Sequence, residues 1–332
     1  MKIAIVKLSA MGDIIHAMAA LQFIKQHLPD SQIDWIVEQG FAGVLEDNPH
    51  INHILPINLK ALKNNPLQLI SEVKSLRDYA GNDYDIVIDA QGLIKSAMTG
   101  KLLGSGNLWG FSKSSIREKE ASYFYRHSVE IAYHANTIDR NMRVLSEPLG
   151  FSISKDEILD KEPFLYYQED EHIDNYLSED KKNIIFVVGS TWESRNYPKE
   201  KFAQVANKLQ ENILIVWGSD TEKETAEWIA YTSVYSTVVP RLSYNALKAL
   251  IAKSDLVIGN DTGPTHMAWG LNVASITIFG PTPINRVYQT AINKVVKSSS
   301  RIDHYNLDKN DFSISEIDAM EIVEISRQLL ND

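Results

Sequence analysis

The sequence predicts an α/β protein of two domains, each built around a doubly wound parallel sheet. Strand-like and helical segments alternate along the chain, which is typical of such a sheet. The strand-like runs are apolar without a clean polar alternation, as expected for parallel strands that are buried on both faces. The alternation restarts after a polar stretch within 160–182, and 332 residues suffice for two domains of ordinary size.

The first half supplies one complete set of elements. Ile14, Met18 and Leu21 recur at helical spacing, and Pro29 ends that pattern. These segments form the predicted first domain, residues 1–165. We expect strands over 3–8, 32–38, 51–57, 85–90 and 107–111, and helices over 14–28, 66–79 and 93–103.

The second half repeats the alternation and forms the predicted second domain, residues 180–312. The remaining residues, 313–332, have the periodicity of an amphipathic helix, with Ser313 or Ser315 as its N-cap and Glu316 within reach of the former. We expect strands over 183–188, 213–217, 256–259 and 275–279, and helices over 199–209, 222–231, 244–252 and from Pro264 onward.

Composition and charge exclude several classes of protein. The formal net charge is -10, with 15 basic against 16 acidic residues in 1–150, so a strongly basic nucleic-acid binder is excluded. No apolar run approaches the ~18 residues of a membrane-spanning helix. The N-terminus lacks a signal peptide and the chain has no cysteine, so we expect a cytoplasmic protein without disulfides. The 9 histidines show no metal-ligand spacing.

Two facing domains of this class would form a cleft lined by the carboxyl ends of their strands, where ligands bind. In the first domain, "KLSAMGDIIHAM" puts Gly12 and Asp13 at a helix start. Asp13 is interpreted either as an acid that favours the helix dipole or as a general base, and His16 as a core residue. In "IDAQGLIKSA", Gln91 and Lys95 face a polar ligand or belong to an ordinary glycine turn.

Three loops of the predicted second domain also suit an anionic ligand. Ser190, Thr191 and Arg195 follow one strand and have groups that bind phosphate. Glu222 opens the next helix, as a ribose-binding or a capping acid. The third loop, "NDTGPTHMA", leads into a helix whose free N–H groups and dipole form an anion site, although a capped turn with a core histidine explains it equally.

Several of these motifs together resemble the bacterial lipopolysaccharide heptosyltransferases, glycosyltransferase family 9. "KLSAMGDIIHAMAAL" resembles their N-terminus, "NDTGPTHMA" their D-T-G-x-x-H motif, and "IFGPT" the segment that follows it. "VEQGFAGV" and "IDAQGLIKSA" resemble heptosyltransferase I in particular. The resemblance implies the GT-B fold: two Rossmann-like domains facing a cleft, with the acceptor in the first, the nucleotide sugar in the second, and a C-terminal helix that crosses back to pack on the first domain.

The resemblance also implies the reaction and its residues. An inverting transferase would move L-glycero-D-manno-heptose from ADP-L-glycero-β-D-manno-heptose to the Kdo of Kdo-lipid A, with Asp13 as general base and no tightly bound metal or other cofactor. Ala10 and Arg195 depart from the family, which often has Ser and Lys there, and Ser190-Thr191 is a pair of threonines in some relatives. The implied donor-binding residues are Ser190, Thr191, Arg195, Glu222, Leu242, Asp261, Thr262, Gly263 and His266.

An acceptor with carboxylates and phosphates needs basic contacts, which ordinary surface charge would also explain. The resemblance implies an enzyme that is peripheral on the cytoplasmic face of the inner membrane, and we expect a monomer that binds no nucleic acid. Heptosyltransferase II or III, a sugar-nucleotide 2-epimerase and a non-catalytic sugar-binding protein are the alternatives. The expected acceptor-binding residues are Ser9, Gly12, Lys60, Lys63, Gln91, Lys95, Arg117 and Lys119, with Arg126 as a further candidate.

Overall fold

The computed structural model describes residues 1–59, 68–304 and 306–331. The chain divides into two compact units, Met1–Tyr166 and Tyr167–Asp332. In the described part of each unit, the strands form a six-stranded sheet in which neighbouring strands are parallel. The predicted class, two α/β domains with parallel sheets, is therefore confirmed.

The two sheets share one strand order. The first contains β1 (Lys2–Val6), β2 (Gln32–Glu38), β3 (His53–Ile57), β4 (Ile86–Asp89), β5 (Leu108–Phe111) and β6 (His127–Val129). The second contains β7 (Asn183–Val187), β8 (Asn212–Val216), β9 (Ser236–Val238), β10 (Leu256–Asn260), β11 (Ser275–Phe279) and β12 (Asn293–Lys297). Their orders are β3-β2-β1-β4-β5-β6 and β12-β11-β10-β7-β8-β9. Numbered within its own unit, each is the 3-2-1-4-5-6 order of a doubly wound sheet.

Helices cover both sheets, and their sequence explains where they start. The hydroxyls of Ser154, Ser219 and Ser243 each accept a hydrogen bond from the backbone N–H three residues later, in the first turn of the helix. Among the described residues, no helix is long and apolar enough to cross a membrane. The first unit has α1 (Met11–Met18), α2 (Ala20–His27), α3 (Ala42–Leu45), α4 (Gln68–Ala80), α5 (Ile94–Leu102), α6 (Thr137–Ser146) and α7 (Lys155–Leu159). The second has α8 (Glu171–Asp174), α9 (Lys199–Leu209), α10 (Asp220–Thr232), α11 (Tyr244–Ala252), α12 (Gly263–Gly270) and α13 (Ala319–Asn331).

Some element boundaries differ from the sequence-based expectation. The helix expected over 14–28 is interrupted at Ala19, which separates α1 from α2. β6, β9 and β12 were not expected, because they are short or polar strands at or next to sheet edges and lack a long apolar run. The central strands β1 and β10 were expected, because nearly all of their residues are buried.

The C-terminal helix contributes to the core of the second unit. Within the second unit, α13 packs on α9 and on β10 and β11. The packing on the first domain that the family resemblance implies stays a prediction. Ile322 and Val323 of α13 are fully buried in the core of that unit, together with Phe186 and Phe202. The guanidinium of Arg327 also donates to the backbone oxygen of Lys208 at 2.9 Å. Burial of its apolar side therefore fixes α13 to the second unit.

Candidate active site

Each sheet contains a point where the strand order reverses, between β1 and β4 in the first unit and between β7 and β10 in the second. In doubly wound sheets, ligands bind outside the carboxyl ends of the strands at this switch point. The segments that leave these four strands are 7–13, 90–96, 188–195 and 261–266. They hold most of the site residues that the sequence predicted, so the two switch points define the candidate site of each unit.

Asp13 lies in the first turn of α1 and is partly exposed. Its Oδ2 accepts a hydrogen bond from the backbone N–H of Ala10 at 3.4 Å. The N-terminus of a helix stabilises negative charge, so the position suits a carboxylate. Ser9 and Gly12, which were expected to contact the acceptor, are also partly exposed, whereas His16 is buried as expected.

Gln91 fixes the backbone that leads to Asp13. Its side-chain Oε1 accepts hydrogen bonds from the backbone N–H groups of Leu8 at 3.0 Å and Ser9 at 3.1 Å. The sequence predicted that Gln91 faces the acceptor. The structure uses its amide oxygen to hold the segment between β1 and α1, so Gln91 acts on Asp13 through the backbone.

Asp89, at the end of β4, is a fully buried carboxylate that the sequence analysis missed. Oδ1 accepts from the backbone N–H groups of Gln91 at 2.8 Å and Gly92 at 3.2 Å. Oδ2 accepts from the hydroxyls of Ser96 at 2.8 Å and Tyr125 at 2.7 Å. Burial raises the pKa of Asp89, although these hydrogen bonds act in the opposite direction. Asp89 thus braces the turn in which Gln91 lies.

Lys7, which the sequence analysis also missed, connects the two strands at this switch point. It is buried, and its Nζ donates to the backbone oxygen of Ala90 at 2.7 Å and to Oδ1 of Asn141 at 3.1 Å. Burial lowers the pKa of Lys7, while the nearby charges of Asp13 and Asp89 act in the opposite direction. A lysine that directly follows a buried apolar strand is the sequence signal that could have identified it.

The expected basic contacts of the first unit lie on its surface. Lys95, Arg117 and Lys119 are exposed, and α5, which carries Lys95, packs against the 3₁₀ helix Lys119–Phe124. Lys60 and Lys63 lie outside the described residues. The structure therefore brings Lys95 and Lys119 to neighbouring elements.

Asp261 is the centre of the second switch point. Its carboxylate is buried, and Oδ2 lies 2.7 Å from the Nη2 of Arg195, which also donates to the backbone oxygen of Asp261. Nε2 of His266 shares a hydrogen bond of 3.0 Å with Oδ1, and the hydroxyl of Thr282 donates to Oδ2 at 2.9 Å. The structure thus brings three predicted donor-binding residues together, with Asp261 holding the other two.

Positive charge dominates the environment of Asp261. Burial alone would raise the pKa of this carboxyl, but the hydrogen bond from His266 and the charges of Arg195 and Arg286 hold it well below its ordinary value. Arg286, in the 3₁₀ helix Ile284–Arg286 after β11, was not predicted from the sequence. The carboxylate therefore remains ionised and holds the guanidinium of Arg195 at the carboxyl end of β10.

The turn into α12 has the features of an anion site. Thr262 is the N-cap residue without a side-chain cap, and Gly263 and the N–H-lacking Pro264 open the helix. First-turn N–H groups and the helix dipole attract anions. A side chain at Gly259 would put its Cβ 2.5 Å from Oγ1 of Thr265, so glycine is needed for the close packing of strand and helix.

Asn260, the last residue of β10, joins the loops around this turn and was missed in the sequence. Its side-chain Nδ2 donates to the backbone oxygen of Val188 at 2.9 Å, and its Oδ1 accepts from the N–H of Tyr197 at 2.9 Å. Because these partners flank the segment with Ser190 and Arg195, Asn260 fixes that segment to the α12 turn.

Glu222 has the geometry of a helix cap. Its Oε2 accepts from the N–H groups of Gly218 at 2.6 Å and Ser219 at 3.3 Å, and the hydroxyl of Ser219 accepts from the N–H of Glu222 at 3.3 Å. A Cβ at Gly189 would lie 2.3 Å from the Glu222 carboxyl carbon. The carboxyl group of Glu222 therefore lies against Gly189 in the loop after β7 and also completes a capping box. Its position fits both a ribose-binding acid and a capping acid.

The remaining predicted donor residues differ in their exposure. The hydroxyl of Ser190 donates to the backbone oxygen of Trp192 at 3.1 Å, so it shapes the loop. Thr191 is exposed and Leu242 is partly exposed, so both are accessible to a ligand. Within the described ranges, no group of three or more His, Cys, Asp or Glu residues is arranged to hold a metal ion.

Comparisons with known proteins agree with the motifs. Residues 73–312 match glycosyltransferase family 9 (heptosyltransferase). The chain is 36% identical to lipopolysaccharide heptosyltransferase 1 of Campylobacter coli, with 100% of both chains covered. It is 28% identical to lipopolysaccharide heptosyltransferase 1 of Escherichia coli strain K12, with 92% of this chain and 96% of that protein covered.

The fold comparison gives the same family. The structure of E. coli heptosyltransferase WaaC with ADP-2-deoxy-2-fluoro heptose is similar with a TM-score of 0.80 at 26% identity, and 99% of both chains are covered. This match covers both units, in agreement with the GT-B fold that the resemblance implied. The chain therefore belongs to glycosyltransferase family 9 and is a glycosyltransferase.

Proposed function

We propose that this glycosyltransferase moves L-glycero-D-manno-heptose from ADP-heptose to the Kdo of Kdo-lipid A in lipopolysaccharide core synthesis. The observation that carries the proposal is the full-length similarity to a lipopolysaccharide heptosyltransferase 1, at 36% identity. The similar WaaC structure, which contains an ADP-heptose analogue, supports the choice of donor.

The second switch point would bind the ADP part of the donor. The N–H groups at Thr262 and Gly263 and the guanidinium of Arg195 would contact the diphosphate, since N–H groups and guanidinium both bind phosphate oxygens. Asp261 supports this role because it fixes Arg195 and His266 at the same turn. Glu222 and Ser190-Thr191 would contact the ribose and phosphates, and Leu242 would line the adenine pocket.

The first switch point would supply the general base. In this mechanism, an acceptor hydroxyl gives its proton to the carboxylate of Asp13 and its oxygen attacks the anomeric carbon of the heptose. The bond from that carbon to the ADP oxygen breaks, and the configuration inverts. Partial exposure of Asp13 at a helix N-terminus supports the assignment, because the base must be ionised and must reach the substrate.

The leaving diphosphate gains negative charge as the bond breaks. The positive side chain of Arg195 and the N-terminus of α12 would stabilise that charge, which makes a tightly bound metal or other cofactor unnecessary. We therefore expect turnover to persist in excess EDTA. Loss of turnover in EDTA that is restored by a divalent cation would contradict this part of the proposal.

The acceptor would bind through the first unit. Lys95, Arg117 and Lys119 are exposed cations that suit the carboxylates of Kdo and the phosphates of lipid A. Ser9 and Gly12 lie within four residues of Asp13, and Gln91 is hydrogen-bonded to the backbone of Leu8 and Ser9. We assign all three to the reacting end of the acceptor. Lys60, Lys63 and Arg126 are the further basic residues that we assign to it.

A lipid-linked acceptor implies that the protein works at a membrane surface. We propose that the protein is cytoplasmic and acts as a peripheral monomer at the inner leaflet of the cytoplasmic membrane, with ADP-heptose and Kdo-lipid A as partners. Sedimentation of the purified protein tests the monomer, and fractionation of cells tests the location.

One assay tests the proposed reaction. The purified protein is given ADP-heptose and either Kdo-lipid A or a core that already carries heptose, and the products are identified by mass spectrometry. We expect heptose transfer to Kdo-lipid A. Transfer only to the heptosylated core would assign the chain to heptosyltransferase II or III, and release of free epimerised sugar without acceptor would contradict a transferase.

A further inference from the structure

One surface of the first unit borders the proposed acceptor residues Lys95 and Lys119, and its other side chains have no part in the proposed chemistry. It is the solvent side of α5, together with the 3₁₀ helices Lys113–Ser115 and Lys119–Phe124. We call it the α5 face and define it by three apolar and three basic side chains: Ile94, Met98, Tyr123, Lys95, Lys101 and Lys113.

The apolar side chains of the α5 face are unusually accessible. Ile94 is 37% exposed, Met98 is 49% exposed and Tyr123 is 73% exposed. Ile94, Met98 and Lys101 follow the i, i+4, i+7 spacing, so they lie on one side of α5. Thr99 and Gly100, on the same helix, are buried. The exposed side of α5 therefore combines apolar groups with lysines.

The three helical segments form one continuous surface. The backbone N–H of Ile94 donates to Oε2 of Glu118 at 2.8 Å, which joins the start of α5 to the chain before Lys119–Phe124. Nζ of Lys113 donates to the hydroxyl of Tyr123 at 3.1 Å and lies 5.3 Å from the centre of its ring. Tyr123 is thus held beside a lysine, with its ring largely in solvent.

The charge of this region is opposite to that of the whole chain. Residues 91–129 contain six Lys and Arg against two Asp and Glu, a net charge of +4, whereas the chain carries -10. Among the described residues, the side-chain ion pairs involve none of Lys95, Lys101 and Lys113. Their charge is therefore available to an anionic partner.

A second exposed apolar region provides the contrast. Tyr231 and Val234 are 93% and 92% exposed, but α10, which carries Tyr231, has four acidic residues and one lysine. Isolated exposed apolar side chains are common on proteins. The α5 face differs because basic residues outnumber acidic ones around its apolar groups.

We propose that the α5 face docks on a lipid bilayer that contains anionic phospholipids. Tyrosine and lysine suit this boundary, because the ring and the aliphatic chain contact the acyl region while the hydroxyl and ammonium stay at the headgroups. Lysines near such a surface are attracted by its negative potential. The inference rests on the membrane location in the proposed function and deepens it, because it names the surface that contacts the bilayer, whichever sugar the enzyme transfers.

Co-sedimentation with vesicles that contain no glycolipid acceptor tests the proposal. We expect the full chain to bind vesicles of phosphatidylcholine with phosphatidylglycerol and not vesicles of phosphatidylcholine alone. Binding should weaken as salt rises from about 0.1 M to 1 M, since the screening length falls from about 10 Å to about 3 Å. The double variant Lys101→Gln/Lys113→Gln should partition about fivefold less for each lysine removed.

A second pair of variants separates the apolar contribution from charge. Met98→Gln/Tyr123→Gln should also lower partitioning, whereas the matched control Tyr231→Gln/Val234→Gln should bind like the unchanged chain. Circular dichroism and ADP affinity establish that each variant is folded. Equal binding of both α5-face variants and the unchanged chain would overturn the proposal. Binding that requires Kdo-lipid A in the vesicle would also overturn it, because the face would then recognise the acceptor and not the bilayer.

Discussion

In the first unit the buried carboxylate at the switch point is Asp89, whereas in the second unit it is Asp261. Asp89 is held by two hydroxyls and two backbone N–H groups, and its pKa is raised by burial. Asp261 is held by Arg195, His266 and a hydroxyl, and its pKa is lowered despite equal burial. One strand order thus supports two opposite electrostatic environments.

The difference matches the two tasks that we propose. Asp89 braces the turn behind Asp13 with neutral donors, so the reactive carboxylate remains separate from the structural one. Asp261 holds a guanidinium and an imidazole beside a helix N-terminus, which is where a diphosphate would bind. The same fold thus positions both sites, and the partners of the buried carboxyl group determine the electrostatic environment of each site.

The largest expected effect is on turnover when Asp13 is changed. Asp13→Ala removes the proposed base, and a positioned base contributes roughly 10²–10⁴-fold to the rate. We expect a loss of turnover in this range under steady-state conditions. Near-normal turnover would show that another group accepts the proton.

The two buried carboxylates should differ in their contribution to stability. Asp261→Asn leaves the mostly buried Arg195 side chain without its anion, and breaking a buried pair costs about 3–5 kcal/mol. Asp89→Asn keeps one acceptor oxygen among neutral donors, so we expect a smaller loss of about 1–3 kcal/mol. Chemical denaturation measures both free energies of unfolding, and equal losses would contradict the contrast.

The pH dependence of stability should have opposite signs at the two sites. The folded pKa of Asp261 is below 3.8, so its stabilisation is present above that pH and is lost as the pH falls through the folded value. The folded pKa of Asp89 is above 3.8, so the folded state gains stability as the pH falls towards 3.8. Denaturation of the unchanged chain and Asp89→Asn between neutral pH and 3.8 should show this gain only in the unchanged chain. A gain of the same size in both would contradict the assignment.

ADP affinity should depend on Arg195 and His266, the two side chains that Asp261 holds. Arg195→Ala should weaken ADP binding by roughly 10- to 100-fold, because hydrogen bonds to charged groups contribute about 1.5–3 kcal/mol. His266→Ala should weaken it as well, and Arg195→Lys, which keeps the charge, should weaken it less. Calorimetry that finds unchanged ADP affinity in both alanine variants would show that the donor diphosphate binds elsewhere.

The smallest expected effect concerns Gln91. Gln91→Leu leaves the N–H groups of Leu8 and Ser9 without their acceptor, which should displace Asp13 and lower kcat by roughly 10-fold. ADP affinity should not change. Gln91→Glu keeps an oxygen for the same N–H groups and should retain more of kcat. A loss confined to the acceptor KM would instead favour direct contact with the acceptor.

Sequence patterns sufficed for the elements with strong local signals. β1 and β10 are continuous buried apolar runs, and α9 and α11 have the boundaries expected from their periodicity. The glycine-containing turns after β1, β4, β7 and β10 were also visible, because strand, turn and helix are adjacent in the chain.

The interactions that complete the sites were not visible, because their partners are distant in the chain. Lys7 bonds to Asn141, and Asn260 bonds to the backbone near Val188 and Tyr197. In the sequence, Lys7 and Asn260 look like ordinary polar residues at the end of a strand. The core residues that α13 packs against were not visible for a related reason, since its amphipathic pattern specifies an apolar side but not the core that receives it.

Titration of ADP into Asp13→Ala and Asp261→Asn, side by side, tests most directly the claim that the first unit supplies the base and the second binds the donor. We predict that Asp13→Ala binds ADP like the unchanged chain, while a folded Asp261→Asn binds it at least about 10-fold more weakly. Weakened ADP binding in Asp13→Ala together with unchanged binding in Asp261→Asn would contradict the account.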